Sequence, residues 1–456
     1  MFLDDVCPRS QVPPPGVSQW GWPAYRWLAW LAPLFVVVLT AGVAVAAADP
    51  DWIGTEPREI SHSPLNRAWH PVIEAGPSGR MVVVWSDQQV DGEPQDRDIY
   101  TTFSHDDGRT WSPAVVITET AGTSGLPDAL IVGDRVFVAW CDQESTDPRI
   151  TTIYEAEIGT GATRRIPGPF SSIPTRPSLA TGAGRLHVVF SGGGTGNIPD
   201  IYYAMRPLAA TAWPTATIVY THTGTGSWNP MLAVGPDGKT LHVVWEERTS
   251  SIQRAIMYMR GAVNGDNVEW TVPLKLSTGI TLSVWPAIAA DASGNLHVVW
   301  GEQQERQHYI WYVRYEAASD AWSAAMRIDP EPVSVNERNP TDSTPSLALM
   351  EQGNQVTVCV VWHGFREGEF AEEVLLSCSQ DGGQSWLPPQ SMSRSDGPEE
   401  ISIRPSITFN AAGQLHGVWQ EHKSSMGSNV VDAYQVYYSH ALNYKKFLPF
   451  VRSGEQ

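Results

Sequence analysis

Cysteine is scarce: four residues in a chain of 456, too few for a disulfide scaffold to carry the fold. Cys7 precedes a long apolar run and Cys141 has no evident mate. Cys359 and Cys378 fall on what should be adjacent strands, either bonded across the ladder or lying there as two buried thiols. Basic residues are also few. Lys and Arg number 30 against 49 Asp and Glu, a net charge of -19, which makes nucleic acid a poor partner and opposes anionic membrane surfaces. A strongly anionic ligand therefore needs a local basic patch. No long stretch has helical periodicity.

A charge-free hydrophobic run occupies residues 27–48 and ends in small residues, Ala46-x-Ala48, before Asp49-Pro50. This reads as an export signal with its cleavage site. The alternative is an uncleaved anchor, since the run is long enough to span a bilayer, and only through it would the chain meet a membrane. Either way the body is expected outside the cell, secreted or at the surface.

What the chain does have is 20 Trp, 39 Gly and 35 Pro, the makings of many short strands joined by tight turns. Proline opens a short apolar strand, a Gly-containing turn follows, and a second strand ends in an aromatic, as from Pro286 to Trp300. The phrase recurs from Pro71, Pro127, Pro177, Pro230, Pro345 and Pro405, at roughly 50–60-residue intervals. Each unit reads as a small antiparallel sheet that buries its faces only against its neighbours. The expected fold is all-β: a single β-propeller of seven four-stranded blades, with six as the alternative. Domain limits are 1–48 for the signal or anchor, 49–444 for the propeller and 445–456 for a tail. The seventh unit lacks an outermost strand after Tyr438, and Trp52 to Ile60 has the layout of one. The N-terminal strand is therefore expected to close the ring and cover an open sheet edge.

Two turns share the pattern Ser-x-Asp-x-Gly-x-Thr/Ser-Trp: Ser104, Asp106, Gly108, Trp111 and Ser379, Asp381, Gly383, Trp386. The aspartates suit backbone N–H groups of the turn, the glycines a positive φ, and the tryptophans packing between sheets. The pattern resembles the Asp-box, or BNR repeat, of the sialidase-like superfamily, over essentially the whole mature chain. The resemblance implies a propeller whose boxes are structural and lie opposite the active face. Members include sialidases, other glycosidases, and binding proteins without catalysis. The enzymes, usually six-bladed, carry Arg-Ile-Pro on the first innermost strand; here Arg165-Ile166-Pro167 falls on an outermost strand, and no Tyr/Glu pair has a matched position.

In such a ring the residues just before the opening prolines meet at the channel mouth: His70, Leu126, Arg176, Asn229, Trp285, Thr344 and Arg404, with Trp69 and Trp228 one step out. Proline is expected to hold them extended. Of these, His70, Arg176, Asn229, Trp285 and Arg404 are the candidate ligand-binding residues, offering planar donors and flat faces to a sugar or small anion. The second strands end in Asp87, Asp142, Glu247, Glu302 and Glu421. An acid repeated at one position suits a structural contact; Glu247 and Glu302, in successive blades, are the catalytic candidates should hydrolysis occur. His187, His242, His297 and His416 also repeat, spread round the ring and too far apart to share an ion at about 2 Å bonds. The acid-rich stretch Asp91 to Asp98 reads as a solvated hairpin tip. Neither metal nor cofactor is expected.

The expectation is an exported, monomeric propeller that binds a glycan or other small extracellular ligand at its channel mouth. The alternatives are a sialidase-type exo-glycosidase and a structural cell-surface module that binds protein.

Overall fold

The structure, a computed structural model, describes residues 54–88, 97–118, 120, 122–143, 151–168, 175–194, 198–250, 252–277, 282–304, 307–329, 344–364, 372–394, 400–423 and 433–441. The expected signal, the tail and most of the Asp91 to Asp98 stretch lie outside them. Among the described residues the secondary structure is entirely β: five four-stranded sheets and one ten-stranded sheet. The larger sheet consists of two such units, joined by one parallel pair, Arg254 with Leu282.

Each unit is a meander. In the first, Ala68–Ala75, Met81–Asp87, Asp98–Ser104 and Val115–Val116 pair in sequence order. Its second strand, Met-Val-Val-Val-Trp-Ser-Asp, is buried at every position. A half-exposed strand would alternate; one apolar on both sides is covered on both, here by neighbouring sheets. Side chains of the first and second sheets share one core, Val82, Val84, Val136 and Val138 among them. The last sheet is completed from the N-terminal side: Arg58–Glu59 pairs with Tyr437 and Tyr438, and the Thr55 N–H reaches the His440 carbonyl at 2.9 Å.

Two contacts recur between sheets. Along the innermost strands, the side chain two residues past the pre-proline position accepts a backbone N–H from the next sheet. Asp128 takes Leu179 at 2.7 Å, Ser178 takes Leu232 at 3.2 Å, and Ser406 of the last sheet takes Ile73 of the first at 3.3 Å. Further out, a histidine Nδ1 meets a tyrosine hydroxyl of the next strand: His187–Tyr203, His242–Tyr258, His297–Tyr312 and His416–Tyr438, at 2.7 to 2.9 Å. Each tyrosine then takes the edge of a tryptophan from the following sheet, as Tyr312 does from Trp386, with centroids 5.0 Å apart. Trp111 of the first sheet packs on Tyr438 of the last in the same way. The repeated histidines are thus hydrogen-bonded parts of the packing.

Between the second and third sheets that arrangement is replaced. Glu155, fully buried, stands where those four units have tyrosine, and it accepts from Arg206 at 3.2 Å and the Trp213 indole at 3.1 Å. Elsewhere, Cys359 and Cys378 face each other across one ladder and form a disulfide. Cys141 is a buried free thiol, pushed up to about 12 by burial.

Candidate functional site

The opening X-Pro pairs do not lie in extended strand. His70, Leu126, Arg176, Asn229, Trp285 and Arg404 have φ between 46° and 54°, and at each the ladder register shifts by a bulge. The expectation of an extended residue is therefore corrected. Within a bulge two residues face one on the partner strand, so the missing proline N–H leaves no gap in the ladder. The residue before it takes the left-handed conformation, which costs a non-glycine residue about 1–2 kcal/mol. Six such residues together cost about as much as the net stability of an ordinary domain, roughly 5–15 kcal/mol. Part of the strain is offset by hydrogen bonds: the His70 N–H donates to Gln420 Oε1 at 2.8 Å and the Arg404 N–H to His363 Nδ1 at 3.3 Å. Strain of this size at equivalent positions marks a place where side chains are held for a purpose.

That place is a cavity of about 260 Å³ lined by His70, Leu126, Arg176, Trp285, Thr344 and Arg404 together with the prolines and the residues that follow. Both Arg176 and Arg404 lie by the Trp285 ring, with Cζ 4.9 and 5.9 Å from its centroid. Arg97 sits over Trp69 at 3.9 Å. Burial, then the charges of Arg404, Arg97 and Arg176, hold His70 well below its ordinary value, so it stays neutral. In a chain of net charge -19, the mouth is thus a concentrated positive spot. Guanidinium groups held against indoles are pre-oriented, and a guanidinium is a planar fork of donors that suits a carboxylate or sulfate.

Four of the five binding candidates meet here: His70, Arg176, Trp285 and Arg404. Asn229 shares their backbone geometry but does not line the cavity; its amide Nδ2 donates to buried Glu246 at 3.3 Å. Glu246 also binds Arg248 at 2.6 Å and Arg254 at 3.1 Å, and Arg248 covers Trp228.

Glu247 and Glu302 are committed to their own sheets. Both are buried, and neither lines the cavity. Each accepts from the serine paired opposite it, Ser227 at 2.6 Å and Ser283 at 2.9 Å. Each also accepts from the indole two residues earlier on its own strand, Trp245 and Trp300, because residues i and i+2 share a face. Asp87 and Glu421 repeat this with Trp85 and Trp419. Where Gly364 replaces the acid, the Trp362 indole N–H has no partner among the described residues; where Gly192 does, the aromatic is Phe190 and needs none. In four of the five units that carry it the recurrent acid thus serves the tryptophan; Asp142 instead accepts from Ser124 at 3.0 Å, and the Trp140 indole N–H has no partner among the described residues.

The two Ser-x-Asp-x-Gly turns are built alike. Ser104 Oγ donates to Asp106 and accepts from the Gly108 N–H, both at 2.8 Å, while Asp106 takes the N–H and hydroxyl of Thr110. These bonds lower Asp106 to about 2. Ser379, Asp381, Gly383 and Ser385 repeat the pattern. Gly108 and Gly383 have φ of 75° and 91°, and a Cβ on either would overlap the hydroxyl of Tyr438 or Tyr312. The glycines thus admit the tyrosine on which the box tryptophan packs.

Sequence reading missed Arg97 and two cavity acids, Glu74 and Asp128. Arg97 had no repeat signal. The acids had one: Glu74 stands four residues past the bulge, where Ala180, Ala233, Ala289 and Ala348 stand in other units.

No protein-family model matches the sequence, and no curated protein matches it. The likeness lies in structure. The chain is similar to an ulvan lyase that represents a new family of polysaccharide lyases, with TM-score 0.58 and 12% identity over 84% of this chain and 95% of the lyase; that enzyme was seen bound to a GlcA(1-4)Rha3S unit. It is also similar to a Hadza microbial sialidase, with TM-score 0.51 and 12% identity over 85% and 68% of the two chains. A Dyadobacter fermentans protein of unknown function aligns at TM-score 0.52 and 9% identity, over 86% and 99%. The fold is sialidase-like.

Proposed function

We propose that this chain is an exported, seven-bladed propeller, closed by its N-terminal strand, that binds an acidic glycan at its channel mouth. The observation that carries the reading is the convergence of Arg176 and Arg404 on Trp285, beside His70, in one cavity, with the charge of Arg97 felt at His70. Fixed guanidinium forks recognise carboxylate or sulfate in pairs of hydrogen bonds, and an indole face suits the apolar side of a sugar ring. The ulvan lyase's GlcA–Rha3S ligand joins an acidic sugar to a sulfated one, the same chemistry. Ring closure is supported by the contacts of the last sheet with the first, Ser406 to Ile73 and Tyr438 to Trp111, which repeat those between interior neighbours. The Ser-x-Asp-x-Gly turns then serve as Asp-boxes. Export is supported by the 27–48 run and the Cys359–Cys378 disulfide, a bond that persists in oxidising compartments.

The test is retention on a glycan array holding uronate, sialate and sulfated sugars beside neutral ones. Wild type is expected to select acidic glycans, and Arg176→Ala with Arg404→Ala to abolish retention without lowering the melting temperature. Retention of neutral glycans alone, or indifference to the double substitution, would overturn the reading.

A further inference from the structure

Four units close the outer edge of their third strand in one way. In the first, the N–H of Ser112, the residue after Trp111, donates to the Phe103 carbonyl at 2.8 Å, and the Ser112 hydroxyl accepts the Phe103 N–H at 3.1 Å. Thr271 does the same for Arg260, Ser323 for Arg314 and Thr55 for His440. The four third-strand residues share one register, opposite Val82, His242, His297 and His416 of their second strands.

In the third unit that register belongs to Met205, opposite His187. The residue after Trp213 is Pro214, which has neither an N–H nor a hydroxyl to offer. The chain then turns aside, and the Ala216 N–H donates to the Pro167 carbonyl of the second unit at 2.7 Å. Main-chain groups alternate between the two edges of a strand. Leu208 bonds inward to Gly184, so Met205 faces outward. Its N–H and carbonyl have no partner there among the described residues, although Met205 is only 8% exposed. Buried main-chain groups are nearly always paired.

A cavity of about 740 Å³ lies at this point, lined by Tyr203, Met205, Trp213, Pro214, Thr217 and Trp270 among others. Arg206 lines it too, fully buried, and its Nε is a further donor without a partner. Arg185 and Asp266, at the same cavity, pair with each other at 2.7 Å. The outer segments of the third and fourth units carry Ile218, Val272 and Leu274 at 43, 89 and 46% exposure, unusually open for side chains of this kind.

We propose that this cavity docks a short extended peptide of a partner protein, an apolar segment carrying serine or threonine that pairs with Met205. The occupant's chemistry is that of the four other units: a main-chain N–H to the carbonyl, and a hydroxyl back to the N–H. Addition of a strand to an open sheet edge supplies affinity through such main-chain bonds, with pockets taking alternate side chains. Trp270, Ile218 and Val272 suit apolar ones. The net charge of -19 favours a segment flanked by basic residues. The site is separate from the channel mouth and independent of any glycan bound there.

The probes are acetylated peptides copying residues 112–117, 271–276 and 323–328, whose Ser or Thr fills this place in other units, each with a fluorophore at its C-terminus. Anisotropy with the full chain is expected to show saturable binding by at least one, with slowed hydrogen exchange at the Met205 amide. Methylating the Ser or Thr nitrogen removes the donor to the Met205 carbonyl and should weaken that binding about tenfold or more. Exposed Ala212 also lines the cavity, so Ala212→Trp should block binding at an unchanged melting temperature. No saturable binding by any of the three, or binding indifferent to both N-methylation and Ala212→Trp, would overturn the proposal.

Discussion

On the innermost strands, serine recurs two residues before the bulge in four units, Ser124, Ser227, Ser283 and Ser402, whereas the bulge residue itself runs His, Leu, Arg, Asn, Trp and Arg. The serines each hold the acid at the end of the second strand. The bulge residues are strained, largely half-buried, and mostly turned to one cavity. Positions that repeat answer a need every sheet has, to tie its own strands and meet its neighbour. Positions that vary under a shared backbone answer a need that occurs once. A recurrent acid is therefore weak evidence for catalysis, and a repeated bulge with unlike side chains is good evidence for a site.

The comparison breaks most visibly where the repeat has been replaced. Arg206→Ala leaves buried Glu155 with only Arg164 at 3.3 Å and the Trp213 indole, and losing one partner of a buried ion pair costs about 3–5 kcal/mol at most; chemical denaturation should register that loss. If the variant unfolds like wild type, the Glu155–Arg206 pair does not hold the second and third sheets together. Next comes Gly383→Ala, which displaces the Tyr312 hydroxyl from His297 and disturbs Trp386. A loss of about 2–3 kcal/mol, with glycan binding retained in the surviving folded fraction, is expected.

Glu302→Ala should cost about 1–3 kcal/mol by leaving Ser283 and the Trp300 indole unpaired. A variant of unchanged stability that lost a hydrolytic activity would return this acid to the catalytic reading. The histidines sharpen the contrast through pH. Burial lowers His187 and His242 to about 4 and His416 to about 3. The unfolded chain binds their protons first, so this contribution to stability is lost as pH falls from about 6.5 towards 4, at up to about 1.4 kcal/mol per pH unit for each. Glu74, Asp128 and Asp329, raised by burial to about 8, 6 and 7, work in the opposite direction as pH falls. The difference between wild type and His416→Gln isolates the histidine, and melting temperatures across that range should converge as pH drops. The smallest effect is a gain. Arg404→Gly removes the cost of a left-handed arginine, about 1 kcal/mol, so the melting temperature should hold or rise while binding is lost. A clear fall would mean that the bulge arginine serves the fold.

Much of the architecture was legible because a propeller writes its packing into a period. Pro71, Pro127 and their counterparts announced the innermost strands, and apolar runs ending in an aromatic, such as Val82 to Trp85, announced the second strands. Trp52 to Ile60 was readable as a borrowed strand since one unit was short by one, and Arg58–Glu59 indeed pairs with Tyr437 and Tyr438. The candidate site was legible in part. The mouth residues could be named from their place before proline, but Asn229 was indistinguishable from Arg176 by that rule. Arg97 was invisible, standing just before the third strand Asp98–Ser104 at a position that carries no repeat signal.

By itself, then, the sequence determined the strand order, the borrowed edge, the turn chemistry of Asp106 and Asp381, and which positions face a neighbour. All of these follow from local backbone preference and a phrase that returns at roughly 50–60-residue intervals. Only the tertiary structure decided that six pre-proline residues are left-handed, that Arg176 and Arg404 share one indole, and that Glu74 and Asp128 line the same cavity. Those relations join residues on different sheets, and distance between sheets is set by how side chains fill the space between them, which no single stretch of chain encodes.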